Sequence, residues 1–205
     1  MKSVEQLGIL ATQAEKTLAC ASSLLKNNAL LACAQALRSG MPEILEANRT
    51  DLSSGRNAGL SEALLDRLAL SEKRIEAMAA SIEEIAALPD PVGAILSGTK
   101  RPNGLLIQKV RVPLGVIGII YEARPNVSSD AAALCVKAGN AVILRGGKEA
   151  LCSNRAITAL LRAALAAEHL PEDCIQLIED TSRESAAALM RLNEYVDVLI
   201  PRGGP

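Results

Sequence analysis

The 205 residues suit one large domain or one domain with an appendage, and at 49% hydrophobic they can bury a substantial core. Aromatic residues make up only 1%, Tyr121 and Tyr195 alone, so aliphatic side chains must fill that core. A net charge of −1 gives no pull towards nucleic acid or anionic membrane, and no stretch approaches the roughly 18 apolar residues of a membrane span.

The N-terminus, MKSVEQLGILATQAEK, lacks the apolar run of a signal peptide, and a soluble cytoplasmic protein is expected. Five cysteines, at 20, 33, 135, 152 and 174, form an odd set without CxxC spacing. They read as reduced thiols that pack as small apolar residues. His169 is the single histidine and no cysteine pair has ligand spacing, so no metal site is expected.

Residues 1–92 read as a helical segment. Val4, Leu7, Ala11, Ala14 and Leu18 keep helical spacing, and Leu24-Leu25 continue a pattern expected to stop near Asn27-Asn28. A second helix is predicted over 29–39, with Gly40 as a left-handed C-terminal residue. Pro42 suits the first turn of the next helix, with Ile44, Leu45 and Asn48 on a common face. Residues 51–59 are expected to be loop. Ser61 and Ser71 are predicted N-caps. Beyond Ser71 the series Ile75, Met78, Ala79, Ile82, Ile85 and Leu88 predicts an amphipathic helix ended by Pro89-Asp90-Pro91.

Residues 93–112 change character. A turn at Arg101–Gly104 leads into a predicted half-exposed strand, with Leu106, Val110 and Val112 on one face and Lys109 and Arg111 on the other. This arm reads equally as an edge ribbon or as an oligomer contact.

From 113 to 205 the pattern is β-α-β-α-β-α-β. The strands are GVIGIIY at 115–121, AVIL at 141–144, IQLI at 175–178 and VDVLI at 196–200. A long helix is expected over 150–168, and a shorter one, capped by Thr181 or Ser182, over the stretch that reaches Asn193. That alternation predicts an α/β fold with a doubly wound parallel, Rossmann-like sheet. The fingerprint GxGxxG is absent, because Gly115 and Gly118 fall within the predicted first strand.

Ligands of such sheets bind at the carboxyl ends of the strands. The candidate loops there are Glu122–Asn126, Arg145–Glu149, Asp180–Ser182 and Arg202–Gly204. Gly146 and Gly147 would let backbone amides approach an anion, with Arg145 and Lys148 adding positive charge. Arg202, Gly203 and Gly204 repeat that chemistry. Either glycine pair could instead serve a tight turn, yet two such loops on one edge favour ligand binding. Asn126, just after Pro125, is either a helix N-cap or a donor to a developing oxyanion. His169 sits at a helix end with no carboxylate or nucleophile in a recognisable motif beside it.

The block VPLGVIGIIYEARPNVSSDAAALCVKAGNAVILRGGKEA, followed by SNRAI and LNEYVDVLIPRGG, resembles the gamma-glutamyl phosphate reductase (glutamate-5-semialdehyde dehydrogenase) family of the aldehyde dehydrogenase superfamily. The likeness runs from the N-terminal helices to Gly204. It implies NADPH-dependent reduction of L-glutamate 5-phosphate to L-glutamate 5-semialdehyde, the second step of proline synthesis from glutamate. It also implies that Asn126 stabilises the oxyanion and that Arg124 contacts the acyl phosphate. Arg145, Gly146, Gly147 and Lys148 would surround the adenosine end of NADP, while Arg202, Gly203 and Gly204 would lie near its pyrophosphate.

In that family the nucleophilic cysteine lies past the PRGG loop, in a catalytic domain. None of the five cysteines here stands in such a motif, and Cys135 and Cys152 fall on helices expected to face the sheet. The chain is therefore expected to be the N-terminal, cofactor-side portion of such a reductase, inactive alone. A homo-oligomer, or a partner chain supplying the catalytic half, is expected. The alternative is a non-catalytic nucleotide-binding or interaction module.

Overall fold

The computed structural model describes residues 2–202. Helices α1 (Val4–Ala19), α2 (Ser23–Ser39), α3 (Met41–Asn57), α4 (Glu62–Leu68) and α5 (Glu72–Ala87) open the chain. Serine hydroxyls start most of them. Ser3 and Gln6 form a reciprocal capping box on α1, and Ser22, Ser61 and Ser71 accept from the amides of Leu25, Leu64 and Arg74.

The Ser22 cap corrects the expected boundary of the first two helices. The first ends at Ala19, and Asn27-Asn28 lie inside the second. Gly40 is not left-handed, with φ −87°. Its lack of a side chain serves packing instead, because a Cβ there would run into Leu160. Residues 51–57, expected as loop, continue α3. They stay helical because Asp51 is buried and bonded to a neighbouring helix, a tertiary contact that outweighs weak local propensity.

Strands β1 (Ile95–Lys100) and β2 (Leu106–Val110) form an antiparallel hairpin. The predicted half-exposed arm is in fact exposed on both faces, apolar residues included.

The remaining elements are β3 (Val116–Tyr121), α6 (Asn126–Lys137), β4 (Ala141–Arg145), α7 (Leu151–Ala167), β5 (Ile175–Leu177), α8 (Arg183–Met190) and β6 (Val198–Arg202). Their strands form one sheet, β5-β4-β3-β6, with every pair parallel. Alternation sorts the side chains. Ile117, Ile119, Tyr121, Val142 and Leu144 join the core shared with α2, α5, α6 and α7. Val116, Ala141 and Ile143 meet α1 and α8 on the other face. Helices therefore cover both faces, and the winding reverses between β3 and β6.

Several boundaries differ from expectation. Gly115 precedes β3 rather than lying in it, and α8 stops at Met190. β6 starts two residues later and takes in Pro201 and Arg202, so Arg202 belongs to a strand. Among the described residues β6 is an edge strand, where a proline without an amide hydrogen is tolerated. Among the same residues no helix is long and apolar enough to cross a membrane.

Candidate active site at the switch point

β3 and β6 run side by side with Tyr121 opposite Arg202 at their carboxyl ends. Beyond Tyr121 the chain turns sharply, the Arg124 amide bonding to the Glu122 carbonyl at 2.8 Å. Helix α6 starts at once. Asn126 is its first residue and is exposed, and it does not cap the helix: its Nδ2 donates to Asp130 Oδ2, one turn on, at 3.3 Å.

Two clefts open here. The first, about 460 Å³, lies between α4–α5 and the start of α6, with Arg67, Arg74, Met78, Ser81, Arg124, Asn126 and Asp130 in its walls. The second, about 390 Å³, lies over the sheet edge and is lined by Arg67, Tyr121, Glu122, Arg124, Arg145, Gly147 and Glu149 among others. Arg67 and Arg124 border both and form the ridge between them.

The cations of this region differ in availability. Arg74 is held by the Asp66 carboxylate at 3.0 Å and by the Ala69 carbonyl at 2.7 Å. The side chains of Arg67 and Arg124 make no hydrogen bond or ion pair among the described residues. A cleft of similar size beside β5 has its arginines already paired, Arg155 with Glu179 and Arg162 with Glu172 and Asp173. Asp130 is half-buried. Burial raises its carboxyl above the usual range, against the opposing pull of bonds from Asn126 and Ser81 and of the positive field of Arg202.

Arg145 does not point free into the second cleft. Its guanidinium donates to the carbonyls of Thr181 at 2.9 Å and Ser182 at 3.1 Å, so it ties the loop after β4 to the loop after β5. Its Nε is buried and has no partner among the described residues. Gly146 is required by close approach, since a Cβ would strike the Asn154 amide nitrogen and meet the Tyr121 ring at 3.2 Å. Beneath it runs a buried chain in which Tyr121 Oη shares a 2.6 Å hydrogen bond with Ser128 Oγ, and Ser128 Oγ donates to Asn154 Oδ1 at 2.9 Å. Lys148 is exposed on the same loop. Asp180 accepts from the Ser182 amide, and Ser182 in turn caps α8. Gly203 and Gly204 lie outside the described residues.

The thiols stand apart from this site. Burial pushes Cys33, Cys135 and Cys174 up to about 12. Burial, then the Asp51 charge, also raises half-buried Cys152. Exposed Cys20 stands at the end of α1. None of the five lines either cleft beside Asn126.

Several participants escaped the sequence reading. Asp130 had a signal, standing four residues after Asn126 and hence on the same face of α6. Arg67 had none, because the packing of α4 brings it in from a distant part of the chain.

A model of the aldehyde dehydrogenase family matches residues 11–200. Over 204 residues the chain is 56% identical to gamma-glutamyl phosphate reductase of Carboxydothermus hydrogenoformans, covering 100% of this chain and 49% of that one. It is 58% identical over 201 residues to gamma-glutamyl phosphate reductase of Moorella thermoacetica, covering 98% and 48%. The crystal structure of gamma-glutamyl phosphate reductase from Thermotoga maritima superposes with TM-score 0.97 at 42% identity, over 99% of this chain and 49% of that one. The chain thus spans about half the length of the curated relatives it matches. The resemblance drawn from the YEARPN and AGNAVILRGG blocks is borne out, and so is the doubly wound fold. With this match running through helices, sheet and switch point alike, the chain belongs to the aldehyde dehydrogenase family.

Proposed function

We propose that the chain forms the cofactor side of an NADPH-dependent reductase that converts L-glutamate 5-phosphate to L-glutamate 5-semialdehyde. One observation carries this reading: Asn126 stands at the β3/β6 switch point beside Arg124, in a chain 56% identical along its length to a gamma-glutamyl phosphate reductase.

The Asn126 amide would donate to the substrate's C5 carbonyl oxygen as that oxygen gains negative charge. Arg124 and Arg67, which border both clefts, would hold the phosphoryl group and stabilise it as it leaves. NADPH, when bound, supplies the hydride. The residues present fit it: the second cleft lies at the carboxyl ends of the strands, and Lys148 offers an exposed cation between Gly147 and Glu149, which line that cleft. Because the Arg145 guanidinium is engaged with carbonyls, Lys148 becomes the contact for the 2′-phosphate and Arg145 a support that sets the two loops. Arg202 and the glycines after it complete the pyrophosphate side in this proposal. None of the five cysteines presents a thiolate at Asn126, so the acyl-accepting thiol must come from residues outside this sequence.

Calorimetry tests this. The purified chain should bind NADPH and, alone, give no oxidation of it with L-glutamate 5-phosphate. Lys148→Ala should weaken NADPH about tenfold, the loss of one charge-assisted contact, while leaving NADH unchanged. Equal weakening of both nucleotides would remove Lys148 from the 2′-phosphate. Turnover abolished by replacing one cysteine would place a nucleophile within this chain.

A further inference from the structure

Beside Asn126 stands one group that this mechanism does not use. Asp130 lies one turn along α6 in the wall of the first cleft, and its hydrogen-bonding neighbours, Asn126 and Ser81, are both neutral. Among the described residues it makes no salt bridge, and Arg202 acts on it only through space. A half-buried carboxylate so placed has lost hydration without gaining a salt-bridge partner, and burial accordingly raises it above the usual carboxylate range. An ammonium group entering the cleft would supply that missing partner. The same cleft carries Arg67 and Arg124 in its wall, where anionic groups are favoured. One small cavity thus offers both a carboxylate for a cation and guanidinium groups for anions.

We infer that Asp130 receives the α-ammonium group of the substrate, so that the cleft selects a phosphorylated amino acid over its des-amino counterpart. This rests on the reading of the cleft as the glutamate 5-phosphate site. Asp130 then acts as a specificity residue, and its bond to Asn126 places the ammonium anchor one helical turn from the reacting carbonyl.

The test is a pair of titrations of the full 205-residue chain, using L-2-amino-5-phosphonopentanoate and 5-phosphonopentanoate, stable probes that differ only in the amino group. The amino compound should bind about tenfold more tightly, the worth of one charge-assisted contact. In Asp130→Asn, which keeps the size and polarity of the side chain, that preference should vanish. Ser81→Ala, with the carboxylate in place, should keep it. If Asp130 merely orients Asn126, both probes should weaken together in Asp130→Asn and the preference should survive, which overturns the inference. Equal affinities in the unaltered chain, or no binding of either probe, overturn it as well. A thermal melt of each variant verifies folding, and Asp130→Ser repeats the test should the asparagine variant not fold. NADPH is titrated separately. Loss of NADPH binding with the amino preference intact would sink the cofactor reading and leave this inference standing; the reverse result would do the opposite.

Discussion

Asp51 offers the sharpest test of how the site is held. Its buried carboxylate accepts from the Cys152 amide at 3.1 Å, the Ser153 amide at 2.8 Å and the Ser153 hydroxyl at 2.6 Å. It is a distant N-cap for α7, lent by α3 from a point 101 residues earlier. Asn48 completes the bridge, donating to the Leu68 carbonyl at 2.9 Å and to Ser153 Oγ at 3.0 Å. Replacing Asp51 by alanine leaves two helix-start amides and a buried hydroxyl without their acceptor. An ordinary cap is worth about 1 kcal/mol, and a hydrogen bond to a charged acceptor about 1.5–3 kcal/mol. Allowing for the carboxylate's own desolvation, Asp51→Ala should cost about 3 kcal/mol. For a chain of this size that is a fall in Tm of roughly 6–12 °C. Urea unfolding followed by circular dichroism measures it, and an unchanged slope would show that the folded state alone is affected. NADPH affinity should fall too, since α7 anchors the loop carrying Lys148. A loss below about 1 kcal/mol would refute the reasoning, because the cap would then be replaceable by water.

Gly146→Ala should displace Asn154 and break the Tyr121–Ser128–Asn154 chain at a cost of about 1–3 kcal/mol, seen as a lowered thermal midpoint; an unchanged midpoint would mean the loop yields freely. Stability should also fall in acid. Burial alone would raise Asp90, but bonds from Lys26, Ser23 and the Val92 amide outweigh it and hold the carboxyl below its usual range. Because the folded value lies below the unfolded one of about 3.9, the stabilisation is complete above the unfolded value and is lost as pH falls through the folded one. Urea midpoints taken between about pH 5 and pH 3 should therefore drop, and Asp90→Asn should flatten that slope. A thiol reagent should modify exposed Cys20 first and reach buried Cys33, Cys135 and Cys174 only on unfolding. Fast labelling of a second, buried thiol would contradict the packing around it.

The parallel sheet was readable because its strands are dense in β-branched residues and each is followed by polar or glycine-bearing loops. Two helix starts were readable from the serines that cap them, Ser61 and Ser71, whereas the Ser22 cap was missed. What failed was governed by contacts distant in sequence. Nothing local reveals that Asp51 will be buried against α7, so a polar run became a loop on paper and helix in space. Gly40 follows the usual ending of a helix yet owes its place to Leu160. At the site, Asn126, Arg124 and Lys148 were marked by the strand-end rule, whereas Arg145 was misjudged as available because the loop that occupies it belongs to another strand. Arg67 could not be found from the chain alone.

The reversal of winding at β3 has a consequence for how the molecule comes together. Gly115 and Asn140, beside the β3–β4 pair, are 25 residues apart, whereas Val116 reaches Asp197, at the start of the β3–β6 pair, across 81 residues. Closing the longer loop costs about 1 kcal/mol more in chain entropy. The β5-β4-β3 portion with α6 and α7 is the more local nucleus, and β6 docks onto an edge already formed. The crevice that would receive cofactor and substrate therefore lies along the last seam of the sheet to close.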